Sequence, residues 1–148
     1  MRPVRLVRAL PLSFLAGVGV LLALRWDAIP DRFPVHWGLT GGPDRWADRS
    51  ALAIFGPLAA GAALVVALLA LRRWLPALAA RRGQGPGEVR LGEGALLGAS
   101  YALAAVFGAA GAQPLLADDR PWAVLVAMGM GFLLVPLFVA LAALRRGR

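Results

Sequence analysis

The chain has 148 residues, enough for one domain, with 59% hydrophobic content, a mean hydropathy of +0.69 and a formal net charge of +8. That composition is too apolar for an ordinary soluble fold and points to an integral membrane protein. The absence of cysteine excludes disulfides and thiolate metal centres.

Four stretches carry no charge: 9–24, 51–71, 94–117 and 121–144, of 16, 21, 24 and 24 residues. A hydrocarbon core of roughly 30 Å takes about 20 helical residues, so the last three span directly. The first reaches that length only with Leu6 and Val7, Arg5 and Arg8 snorkelling to the headgroups. A cleaved signal peptide is the rival reading of the N-terminus. Arg25 and Trp26 follow Leu24 where small residues would mark a cleavage site, so an uncleaved anchor helix is expected.

Residues 25–50, RWDAIPDRFPVHWGLTGGPDRWADRS, hold the only His, half of the acids and three of the five Trp. A Pro- and Gly-punctuated, aromatic-rich connector of this length predicts a folded surface element. Pro30 and Pro34 force Ile29 and Phe33 toward extended backbone, so the chain leaves the first helix as a strand-like segment. With period two, Phe33, Val35 and Trp37 share the side resting on helices or headgroups, and His36 points the other way, toward acids or solvent. Gly38, Gly41, Gly42 and Pro43 predict a tight reversal. Asp48 or Ser50 then caps the second helix, and Asp44 and Asp48 share a face if that helix starts early.

The connector 72–93 opens with RRWLPALAARR, placing Trp74, Leu75 and Leu78 in the membrane interface between two Arg pairs, and GQGPGEVR reads as a flexible turn. In the third span Gly94 and Gly98 make a GxxxG, and Ala104, Gly108 and Ala112 extend a small-residue row. Ser13 with Gly17, Gly56 with Ala60, and Ala127 with Gly131 repeat the spacing, with intramolecular packing expected over a dimer face. Pro57 and Pro136 are expected to bend or cap their helices. Ser13, Ser100, Tyr101 and Gln113 are the polar side chains within the spans. No ionisable Asp, Glu, Lys, Arg or His lies there, which argues against a pump or a charge-lined channel.

Eleven arginines precede the first span, separate the second from the third, or follow the fourth; the other two connectors hold five Arg against six Asp. The positive-inside rule therefore predicts both termini in the cytoplasm and the 25–50 connector outside. The positive charge then faces anionic lipid; no basic helix with interleaved aromatics supports nucleic-acid binding.

His36 with Asp31, Asp44 or Asp48 would suit a divalent-metal or cationic-ligand site. A lone His without HExxH is more often a hydrogen-bonded structural residue, so no metal ligand and no cofactor is assigned. Asp with Arg32, Arg45 or Arg49 reads as weak surface ion pairs, and Trp37 and Trp46 as interface anchors. Ser50 has no nucleophile-elbow context and no phosphate-binding glycine loop occurs, so no enzyme is expected.

Pro30, Pro34, His36, Trp37, Gly41, Asp44, Trp46 and Arg49, in that order, resemble the pattern of a bacterial membrane family, the domain of unknown function 1648, over roughly the first half of the chain. Members look like the SdpI-like immunity proteins, which protect bacteria from a secreted toxic peptide and relay its presence to a cytoplasmic repressor; six helices there contrast with four here. The resemblance implies a bacterial inner-membrane protein that recognises a toxic peptide or envelope ligand, with a cytoplasmic regulator as a further partner. His36, Trp37, Asp44 and Trp46 would form the recognition surface, and Pro30, Pro34, Gly41 and Arg49 would fix the loop. A non-catalytic membrane scaffold or accessory subunit, and a metal-binding protein using His36, are the alternatives. The expected architecture is an all-α integral membrane protein with four transmembrane helices and an ordered external loop. It divides into a helix pair with its connector (1–71), an Arg-rich loop (72–93) and a second helix pair (94–148).

Overall fold

The computed structural model describes residues 3–37 and 42–115. Helix α1 (Pro3–Leu24) leads through a 3-10 turn (Trp26–Ala28) into strands β1 (Arg32–Trp37) and β2 (Pro43–Asp48). Helix α2 (Ala51–Leu71), short helix α3 (Leu75–Arg81) and helix α4 (Pro86–Ala112) follow, closed by a 3-10 turn (Gln113–Leu115). Among the described residues three segments are long and apolar enough to cross a membrane: Leu6–Leu24, Ala51–Leu71 and Pro86–Leu115. The predicted fourth span, with Ala127, Gly131 and Pro136, lies outside the described residues, as does Gly41.

Two expectations need correction. The architecture is helical but not all-α, because the connector between α1 and α2 forms a two-stranded antiparallel sheet. The predicted loop 72–93 is largely helical: α3 occupies its first half, and α4 begins at Pro86 instead of near Gly94. Pro86 starts α4 with its preset φ, and the Glu88 carboxylate accepts from the Gly85 backbone N–H at 2.6 Å, capping the first turn.

Each long helix buries one stripe at helical spacing. Leu15, Val18 and Leu22 on α1 meet Ile54, Leu58 and Val65 on α2, and α4 adds Tyr101, Ala104 and Ala112. Contact between these helices depends on missing side chains. A Cβ on Gly61 would overlap Cβ and Cγ of Phe107, one on Gly108 would overlap the Phe14 ring, and one on Gly111 would lie 2.6 Å from a Leu58 methyl. Leu58 meets Gly111 while Gly61, one turn later, meets Phe107, one turn earlier, as in an antiparallel α2–α4 pair. The Ala104, Gly108, Ala112 row is therefore an intramolecular seam, whereas Gly94, Gly98 and Gly17 have open space beside them.

One backbone defect is repaired across helices. Pro11 lies inside α1 and is buried. It has no N–H for the carbonyl four residues earlier, that of Val7. The Tyr101 hydroxyl of α4 donates to that Val7 oxygen at 2.7 Å, so an apolar span does not retain an unpaired carbonyl.

Tyr101→Phe should therefore lower stability by about 1–3 kcal/mol, and much less in a Pro11→Ala background, where the alanine N–H can reach Val7. Thermal unfolding of the four proteins in one detergent measures the coupling; equal costs in both backgrounds would refute the repair. In the same assay Gly61→Ala should cost about 1–3 kcal/mol through overpacking, with Gly94→Ala near wild type.

Candidate functional site

The connector is built from the ends of α1 and α2 outward. After Leu24 the chain tightens: Ala28 N–H donates to Arg25 O and Ile29 N–H to Trp26 O. Ile29 then turns extended before Pro30, as the proline requires. Ile29 and Phe33, each 2% exposed, join the helical core beside Leu22 and Ile54. The Trp26 ring stacks on Phe55 of α2, with centroids 6.2 Å apart and planes 14° from parallel. Of the two cap candidates Ser50 serves, its Oγ accepting from Ala53 N–H at 3.2 Å. Asp44 and Asp48 both lie on β2, so the early helix start that would align them does not occur.

Arg49 holds these pieces together. Its backbone N–H donates to Asp31 O at 2.7 Å. Its Nη1 donates to Ile29 O at 3.0 Å and to Trp26 O at 3.3 Å, and its Nη2 to Asp31 Oδ1 at 2.5 Å. One guanidinium, just ahead of the Ser50 cap, thus ties the end of β2 to the turn after α1. The sequence reading of Arg49 as a surface ion pair covers only the Asp31 arm, whose carboxylate is 90% exposed. The two carbonyl contacts have no signature in side-chain pattern, because their acceptors are backbone atoms.

The strands pair Arg32 with Asp48, Phe33 with Ala47 and Pro34 with Trp46. His36 then faces Arg45, and Trp37 faces Pro43. Val35 is thus an extra residue on β1 and Asp44 an extra residue on β2: two bulges that offset each other. The first explains why Val35 is exposed although alternation placed it beside Phe33 on the inner side.

The bulges bring His36 and Asp44 together. Nδ1 of His36 lies 2.6 Å from Oδ1 of Asp44, and both side chains are about half exposed. An ionised carboxylate only accepts, so Nδ1 carries the proton. With Nδ1 so engaged, Nε2 is the ring nitrogen left to face solvent or an incoming group, as an acceptor whenever the ring is neutral. Trp46 is 48% exposed on the same strand as Asp44. Pro34 lies across from Trp46, Trp37 ends the ladder, and Pro30 sits exposed at the entry to β1. The structure thus joins His36 directly to Asp44 and puts Trp46 on the same hairpin. Asp31 goes instead to Arg49, and Asp48 sits at the other end of β2. Among the described residues no three His, Cys, Asp or Glu side chains gather as a metal-binding group.

Arg49→Lys should loosen the connector, because an ammonium cannot reach two carbonyls and a carboxylate in the planar fork. Protection of the Ile29 and Arg49 amides from hydrogen exchange should fall about tenfold or more, corresponding to about 1.5 kcal/mol or more for charged hydrogen bonds. Asp31→Asn should change it little, as exposed pairs contribute roughly 0–1 kcal/mol. The reverse order would reject the carbonyl contacts as the main tie.

No curated protein and no solved structure matched the chain. Residues 13–61, from the middle of α1 through the hairpin into α2, match the family model described as "Domain of unknown function (DUF1648)". The match takes in Pro30, Pro34, His36, Trp37, Gly41, Asp44, Trp46 and Arg49. The helix–hairpin–helix segment of this membrane-type protein, about one third of the chain, is thus similar to the domain of unknown function 1648.

Proposed function

We propose that this is a non-catalytic, multi-pass protein of a bacterial inner membrane, with cytoplasmic termini and its hairpin on the outer face, where it recognises a membrane-active peptide for immunity or sensing. The arginine distribution supports the orientation. The observation that carries the reading is the solvent-facing His36–Asp44 pair on a hairpin fastened to both helices. A fixed imidazole beside an exposed Trp46 offers a peptide a directed acceptor and an amphipathic surface, held in place before the ligand arrives. The partners in this reading are the bilayer, the peptide and a cytoplasmic regulator, with no nucleic acid and no cofactor.

The Arg49 contacts favour a second reading, a scaffold or accessory subunit whose hairpin only locks α1 to α2. The two readings separate at His36, which supports none of the buried contacts named above. A deletion strain challenged with a panel of membrane-active peptides should be rescued by wild type. His36→Ala at matched membrane abundance should rescue at least about tenfold less well, whereas the scaffold reading predicts equal rescue. Equal survival of the deletion strain and wild type would remove the immunity reading for the peptides tested.

A further inference from the structure

The end of the molecule opposite the hairpin carries a second exposed surface. Helix α2 stops at Leu71, and after a turn α3 runs over Leu75–Arg81. One face of α3 is packed: Ala79 is buried, and Leu75 contacts the position where Gly92 of α4 lacks a side chain, at 3.5 Å. On the other face Trp74, Leu78 and Arg81 recur at helical spacing, and all three are exposed, Trp74 by 66%. An exposed Trp and Leu in one stripe with an Arg is an apolar face with a cation at its edge.

Charge around this stripe is one-sided. Arg72 is paired with Glu93 at 2.8 Å, and Glu88 is engaged at the start of α4. Among the described residues Arg73, Arg81, Arg82 and Arg90 make no ion pair. The local acids are thus occupied within the fold while four guanidinium groups remain for an outside anion. The stripe follows the end of an apolar helix of 21 residues, long enough to cross a hydrocarbon core, so a bilayer spanned by that helix would bring its phosphate headgroups to the stripe.

We propose that α3 and its flanking arginines form a binding surface for anionic phospholipid, with Trp74 and Leu78 entering the acyl boundary and Arg73, Arg81 and Arg82 holding the phosphates. An apolar stripe bordered by unpaired cations fits an interface of the same two layers. A soluble anion would use only the charges, and an apolar protein face only the stripe. This surface is independent of the hairpin and of the peptide-recognition reading.

The test uses the full chain in neutral detergent, titrated with phosphatidylglycerol or phosphatidylcholine and read by native mass spectrometry and thermal unfolding. Wild type should retain phosphatidylglycerol over phosphatidylcholine and be stabilised by it, with inorganic phosphate at equal concentration giving no stabilisation. The triple variant R73Q/R81Q/R82Q should bind phosphatidylglycerol at least about tenfold more weakly. Arg45→Gln, the same change on the hairpin, should leave binding as in wild type. If the triple variant loses helical content, Arg81→Gln alone should still weaken phosphatidylglycerol binding about threefold or more. Equal retention of the two lipids, unchanged binding in these variants, or stabilisation by phosphate alone would overturn the proposal. In the first two cases the face would be left to a protein partner.

Discussion

The connector depends on one guanidinium. In an apolar chain without cysteine, an extended segment beside the membrane has few ways to be fixed, and Arg49 supplies one by donating to backbone oxygens of Trp26 and Ile29 and to the Asp31 carboxylate. Those carbonyls follow the end of α1, where helical N–H donors run out and the negative end of the helix dipole favours a cation. Partial burial shields the contact from competing water. Because the same residue immediately precedes the Ser50 cap, the exit of one helix and the entry of the next are set together. Ile29, Phe33 and the Trp26–Phe55 stack then fill the space beneath.

Below the hairpin, the helices are joined by a different rule. Lipid tails are as apolar as leucine, so association rests on close approach and on satisfying stray polar groups. Gly61, Gly108 and Gly111 provide the approach. Tyr101 provides the polar contact, and its target is a carbonyl that a proline made available. Two features that look like defects in isolation, glycine and proline inside helices, become contacts once α4 lies against α1 and α2.

The second span was legible because charge brackets it, Arg49 before α2 and Arg72 and Arg73 after it, so the predicted 51–71 agrees with the observed helix. Extended backbone around Phe33, the Ser50 cap and the outward setting of His36 also followed from local rules. What escaped was non-local or weakly patterned. The PDRWAD segment has no apolar alternation, and it is a strand only because β1 lies beside it. Val35 was misplaced because period two assumes a ladder without bulges. The start of α4 was missed although its signal was present: a proline at the first turn and Glu88 three residues after Gly85. The glycines of GQGPGEVR, which favour a flexible turn, mask that cap.

The paired bulges have a further consequence for how the hairpin can change. One extra residue on β1 is matched by one on β2, so the ladder at Trp37 and Pro43 returns to the phase it had at Arg32 and Asp48. The irregularity is confined to the few residues that carry the imidazole and its carboxylate. The pairing on either side is therefore insulated from it: the His–Asp pair can be re-aimed without rotating Phe33 out of the core. The hairpin separates the part that anchors from the part that presents the His–Asp pair.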